Sequence, residues 1–177
     1  GNILNSSYSW NKIANFSNDD KYLNILPIHH ISGLSIFFRS IYFNFRSFLY
    51  KYDRNEFLSL IHNNNISCIS VVPKILLDIK KERNHNILQR CKIIIVGGDS
   101  ITREIFDYLL ENNINGYVSY GMTETASGIA GYFIKKNKEY KAQYLGTPHK
   151  NVNISIKDDK IHIKSPSIMK GYVNQSP

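Results

Sequence analysis

Along this chain, short runs of β-branched residues alternate with longer stretches in which apolar side chains return every three or four positions. The first pattern suits strands buried on both faces, and the second suits amphipathic helices. "KYLNIL" (21–26) reads as a strand, and "PIHHISGL" as a loop that opens into an apolar helix running to about Phe43. A short strand is expected around Phe45 to Tyr50. Asp53 is a good N-cap for a helix over Arg54 to Asn64, which carries Phe57, Leu58, Leu60 and Ile61 and ends in an asparagine-rich stop. Next come the buried strand "ISCISVV", then "PKILLDIKKE" with Pro73 in a first-turn position, then the continuous run "CKIIIVGG". A helix from Thr102 to about Asn112 turns Ile101, Ile105, Tyr108 and Leu109 to one side and Arg103, Glu104, Asp107 and Glu111 to the other. "NGYVS" is one more short strand.

Strands alternating with amphipathic helices predict an α/β fold, a largely parallel sheet with flanking helices joined by right-handed crossovers. The texture changes after about Tyr144. Val152, Ile154 and Ile156 alternate, Asp158-Asp159 supply a turn, and alternation resumes through Ile161 and Ile163, which predicts a hairpin with one buried face. The expected division is an α/β region over 1–144 and the start of a β-rich subdomain over 145–177, entered through "LGTP".

Composition narrows the class. A chain of 177 residues with 42% hydrophobic and 20% charged side chains can bury a substantial core. Its most apolar segment, "ISGLSIFFRSIYFNF", is broken by Ser, Gly, Arg and Asn, so no membrane span is expected. The start, "GNILNSSYSWNKIANF", reads as neither a signal peptide nor a natural beginning. Cys68 and Cys91 lie inside apolar runs, as buried thiols do, and point to a reducing compartment such as the cytoplasm, or the plastid stroma for a plastid-encoded chain. The net charge of +8 suggests anionic ligands, but the basic residues are dispersed apart from "KKER" (80–83) and "KKNKEYK" (135–141). The weight on Asn, Ile and Lys is also what A/T-rich codons produce. With no clustered basic face, nucleic-acid binding is not expected.

Open parallel sheets bind ligands outside the carboxyl ends of their strands. Three loops are expected there: "LPIHHISGL", "VGGDS" and "SYGMTET". In "VGGDSI", Gly97 and Gly98 allow close approach to the backbone, and Ser100 or Asp99 could cap the next helix; a plain strand-to-helix turn uses the same residues. "SYGMTET" is richer. Tyr120 offers a ring face to a planar base, Gly121 a close turn, Thr123 a hydroxyl to a phosphate, and Glu124 a carboxylate for Mg²⁺ shared with substrate phosphates. A capped helix start would also use a Thr and a Glu. His29 and His30, adjacent in an extended segment, would point apart, one toward a pocket, which disfavours a shared metal.

Taken in order, "LPIHHISGLS", "IIIVGGDSI", "YVSYGMTETASG", "LGTPHKNVNISI" and "IHIKSPSIMKGYVN" resemble the acyl-adenylate-forming superfamily of acyl-CoA synthetases, luciferases and peptide-synthetase adenylation domains. Within it, "LPIHHISGLSIFFRSIYF", "SYGMTETAS" and "IMKGYVN" look most like the o-succinylbenzoate:CoA ligase branch, which serves menaquinone and phylloquinone biosynthesis. The resemblance implies an acid-thiol ligase whose partners are a small-molecule carboxylate, ATP with Mg²⁺, and coenzyme A. An acyl-adenylate forms first, and a CoA thioester follows. Another aryl or fatty acyl-CoA synthetase, or a non-catalytic nucleotide-binding remnant, is the alternative, and a homo-oligomer of the full-length enzyme stays open.

By motif position, the resemblance places Gly97, Gly98 and Asp99 on the adenine and ribose side, Ser119 and Tyr120 against adenine with Gly121 and Met122 beside them, Thr123 at the α-phosphate and Glu124 on Mg²⁺. His30 would border the acyl pocket with Ser32 and Gly33. Arg39 is a candidate for a carboxylate that stays on the acyl substrate, since burying that charge needs a cation; an outward-facing helical Arg is the alternative. His29 replaces an aromatic or aliphatic residue of the family, and Asp99-Ser100 replaces a small residue and Pro. The family's phosphate loop would precede Gly1, and its ribose-binding Asp, hinge and C-terminal domain would follow Pro177, so a fragment of a larger enzyme is expected.

Overall fold

The strand sequences demand apolar cover on both faces, and the chain supplies it by sending helices to alternate sides of one sheet. The computed structural model describes residues 1–82 and 84–174. Five parallel strands stand in the order β2 (Arg46–Leu49), β1 (Lys21–Asn24), β3 (Cys68–Val71), β4 (Ile93–Val96) and β5 (Gly116–Met122). Two antiparallel strands, β6 (Ser127–Phe133) and β7 (Thr147–Pro148), extend the sheet beyond β5. Alternate residues of each strand enter different cores, as the two-residue period requires. Tyr22, Cys68, Ile93, Ile95 and Tyr117 pack with Trp10 and Ala14 of α1 (Asn2–Ala14) and Ile36 of α2 (Ile31–Phe43). Leu23, Ile69, Ile94, Val96 and Val118 pack with α3 (Arg54–Asn64), α4 (Pro73–Lys80) and α5 (Arg103–Glu111).

Most elements lie where the periodicity places them, and the asparagines explain the stops. Asp53 accepts from Asn55 N–H as the N-cap of α3, and Pro73 opens α4. Asn15, Asn44 and Asn65 follow α1, α2 and α3 in the left-handed conformation, the place glycine usually takes. Both thiols are free and buried, and burial pushes each up to about 12. No helix among the described residues is long and apolar enough to cross a membrane.

Several expectations need correction. Helix α1 was not anticipated, because two of its buried positions are Ser6 and Ser7, whose hydroxyls are satisfied by backbone carbonyls at 2.7 Å. Thr102, not Asp99 or Ser100, caps α5, accepting from Ile105 N–H, while the Asp99 carboxylate accepts from the adjacent Ser100 N–H. The hairpin of β8 (Asn153–Lys157) and β9 (Lys160–Lys164) forms as a separate two-stranded sheet, with Asp158 and Asp159 both at positive φ in its turn. Its alternation does not give a buried face: Ile156 is 75% exposed and Ile161 51%.

Candidate active site

β1 lies between β2 and β3, so the chain leaves it toward one edge and returns over it to the other. A crevice opens at such a reversal of strand order, outside the carboxyl ends of the strands. The loops after β1, β3 and β4 reach it, and β5 reaches it with the turn Thr123–Thr125 that leads into β6. "SYGMTET" is therefore not a loop leading to a helix. Its first residues are the end of β5, which runs through Met122, and its last form one 3-10 turn of an antiparallel hairpin. The Thr125 hydroxyl locks that turn by accepting from Met122 N–H at 3.1 Å and donating to the Ser127 carbonyl at 2.8 Å.

Two cavities meet there. The outer one, about 250 Å³, is lined by Gly98, Asp99, Ser119, Tyr120 and Gly121, with Tyr132 and Tyr144 as further aromatic walls. The inner one, about 500 Å³, is lined by His30, Ser32 and Arg39 from the β1–α2 region, by Gly97 and Gly98, and by Ser119, Gly121, Met122 and Thr123. Gly98, Ser119 and Gly121 are common to both, so a ligand can run from one into the other across mostly backbone. Gly98 has φ +85°, which gives that shared wall a shape few side-chain-bearing residues adopt.

Gly33 and Glu124 line neither cavity. Gly33 lets the first turn of α2 sit against the preceding loop: a Cβ there would lie 2.5 Å from the Pro27 carbonyl oxygen. Its own carbonyl accepts from Asn24 Nδ2 at 3.0 Å. Glu124 sits at the rim, where its Oε1 accepts from the Tyr172 hydroxyl at 2.7 Å, and that bond holds its carboxyl below the usual carboxylate range. Among the described residues no three His, Cys, Asp or Glu side chains gather as a metal site. The histidine loop departs from expectation. It is a turn, not an extended segment, so the His29 and His30 rings lie 4.4 Å apart between centroids instead of pointing away from each other. His30 still faces the inner cavity.

Arg39 is not an outward-facing helical arginine. It is 2% exposed, its Cζ lies 4.8 Å from the Trp10 ring centre, and its one hydrogen bond among the described residues runs from Nη2 to Ser127 Oγ at 2.7 Å. Its Nε is buried without a partner, and no carboxylate pairs with it there. Burial pushes the guanidinium down to about 10, with the nearby Tyr22 opposing, so it keeps its charge at neutral pH. Tyr22, pushed up to about 12 by burial, shares a 2.6 Å hydrogen bond with Ser70 Oγ on the cavity floor. Behind Trp10 stands His149, whose Nε2 meets the Tyr117 hydroxyl at 2.9 Å. Burial, and then the Arg39 charge, push its imidazole down to about 4, so it is neutral.

Trp10, Ser35, Ser70 and Ser127 of the inner wall were missed from the sequence. Only Ser70 left a signal, as a lone hydroxyl among apolar residues in a strand buried on both faces.

The crevice thus has an aromatic outer end and a hydroxyl-rich inner end that includes Thr123. Residues 1–173 match the AMP-binding enzyme family, and the chain belongs to it. It is 32% identical over 166 residues to 2-succinylbenzoate–CoA ligase of Lactococcus lactis subsp. lactis (strain IL1403), and 31% identical over 168 residues to the enzyme of the same name from Staphylococcus aureus (strain MSSA476). The matches cover 90% and 89% of this chain but 36% and 33% of those relatives, so the chain spans about a third of their length. Among solved structures, o-succinylbenzoate coenzyme A synthetase from Bacillus subtilis in complex with ATP and magnesium ion superposes with a TM-score of 0.90 at 27% identity. That match covers 98% of this chain and 38% of the other, and the same synthetase in complex with AMP also gives 0.90.

Proposed function

We propose that this chain is part of the substrate-binding domain of an ATP-dependent acid:CoA ligase acting on o-succinylbenzoate. A carboxylate oxygen of the acid attacks the α-phosphorus of ATP and expels pyrophosphate. The CoA thiol then attacks the acyl carbon, and AMP leaves. The observation that carries this reading is the pair of cavities joined at Gly98, Ser119 and Gly121, with an uncompensated buried cation at the inner end. An adenylate in the outer cavity would lie beside Tyr120, bounded by Gly98 and Asp99, and Thr123 would meet its phosphate. Its acyl part would pass His30 and Ser32 toward Arg39.

The acyl group follows from charge. A buried guanidinium without an anion is costly, so the inner cavity is suited to a substrate that brings a carboxylate in addition to the one activated. o-Succinylbenzoate keeps its ring carboxylate when its succinyl end is adenylated. The named relatives agree with that choice. Glu124, an ionised carboxylate at the rim with no acidic cluster around it, fits Mg²⁺, which takes one or two protein carboxylates and completes its shell with phosphate oxygens and water. Bound there, the cation would neutralise phosphate charge.

The test is CoA-thioester formation by the full-length protein with ATP, Mg²⁺ and CoA, comparing o-succinylbenzoate with benzoate and a fatty acid. A product with o-succinylbenzoate at least a hundredfold faster than with the others is expected. Product from another acid alone overturns the substrate, and AMP binding without any product indicates a non-catalytic nucleotide-binding protein.

A further inference from the structure

We infer that Ser127 is the positioning residue that aims Arg39 at the acyl substrate, an inference that rests on the carboxylate reading above. One hydroxyl oxygen, from the start of β6, accepts both Arg39 Nη2–H at 2.7 Å and Trp10 Nε1–H at 3.1 Å. A hydroxyl has two acceptor positions and one proton, so both acceptor positions are filled. The proton is left to Ser6 Oγ, 3.4 Å away, which itself donates to the Ala126 carbonyl at 2.7 Å. Trp10 also lies against Arg39, its ring centre 4.8 Å from Cζ. The guanidinium is thus held by its hydrogen bond to Ser127 and by the ring whose N–H Ser127 also accepts.

The backbone at Ser127 sharpens the point. Its φ is +94°, in the region where a side chain is strained and glycine is not. A residue needed only to shape the hairpin would be better served there by glycine. Ser127 carries a hydroxyl at that cost, and the hydroxyl's partners are the two inner-wall residues at sequence positions 10 and 39. The next residue, Gly128, leaves the wall open, since a Cβ on it would run into Trp10 and the Ser119 hydroxyl.

The experiment uses the full-length protein and two acids: o-succinylbenzoate, and 4-oxo-4-phenylbutanoate, which lacks only the ring carboxylate. Wild type should prefer the first through KM, and Arg39→Ala should erase that preference. Ser127→Gly and Ser127→Ala should each raise KM for o-succinylbenzoate about tenfold, the loss expected of a hydrogen bond to a charged group. The ratio of KM for o-succinylbenzoate to KM for the phenyl acid should rise about tenfold in both, a split that general damage to the pocket would not give. Ser127→Gly should melt no lower than Ser127→Ala, because it relieves the backbone. A purely structural role predicts the same melting order but leaves the glycine variant near wild type in KM. If Arg39→Ala erases the preference and Ser127→Gly keeps it, the Ser127 inference is overturned and the carboxylate reading stands. If Arg39→Ala keeps the preference, the carboxylate reading falls and takes the Ser127 inference with it.

Discussion

The two cavities share a wall and differ in nearly everything else. The outer one is lined from two stretches of chain, 98–101 and 118–121, with Tyr120 as a ring wall, and is closed by Tyr132, Lys141, Gln143, Tyr144 and Leu145. The inner one draws Trp10, Arg39, Ser70, Ile95 and Ser127 from five separate elements and has a buried charge at its core. An aromatic, backbone-lined pocket can take a neutral planar base at little electrostatic cost, so local geometry suffices. A pocket for an anion must store a cation away from water, and that needs support from several directions. On the proposed function the difference separates a general nucleotide end from a selective acyl end, and substitutions in the full-length protein should separate them too.

The largest effect belongs to the stored charge. Arg39→Met should raise KM for o-succinylbenzoate about a hundredfold, since a buried charge-assisted pairing is lost, while KM for ATP stays within twofold in steady-state assays. The same variant should melt no lower than wild type, because it removes an unpaired buried cation from a packed site. A matched rise in both KM values would show that the cavities are one unit. Thr123→Val keeps the side-chain shape and removes a hydroxyl from the inner wall. It should lower kcat about thirtyfold with little change in either KM, because the lost hydrogen bond is worth most when phosphate charge is redistributed. Tyr120→Ala should weaken ATP about tenfold, the scale of an aromatic contact, and leave the acid unaffected in equilibrium binding.

The same contrast governs what the sequence could reveal. The outer cavity comes from contiguous motifs, so Gly98, Asp99, Ser119 and Tyr120 were legible as a group. Periodicity placed the five parallel strands and α2 to α5 because each follows from its own local pattern. Helix α1 and strand β6 were not legible: the first hides its face behind satisfied serines, and the second begins within "TETASG", which reads as a helix start. Arg39 could be named as a candidate, but its burial could not be read from α2 alone. The ring beneath it and the hydroxyl at its edge come from positions 10 and 127, which only the folded sheet brings together. The histidine pair failed for a local reason, a turn in place of extended chain.

The smallest effect is also the one that tests the stored charge without any substrate. His149 has a folded-state pKa of about 4, below its usual 6.5, first because it is buried and then because Arg39 is near. A depressed histidine means the unfolded chain binds the extra proton more readily than the folded one does. Stability from this group is therefore fully present above pH 6.5 and falls as pH drops from about 6.5 toward 4. Between pH 7 and 5.5 the loss should be roughly 1 kcal/mol, measured on this chain by urea unfolding. His149→Phe should flatten that slope. Arg39→Met should leave the slope between pH 7 and 5.5 in place but raise the pH, about 4 in wild type, at which the loss levels off, because removing the cation lifts one of the two causes and leaves burial. Tyr120→Ala, on the far side of the shared wall, should leave the slope as it is. If the loss levels off at the same pH in Arg39→Met as in wild type, the Arg39 charge does not reach His149, and the inner cavity's electrostatics are confined to the Trp10 side.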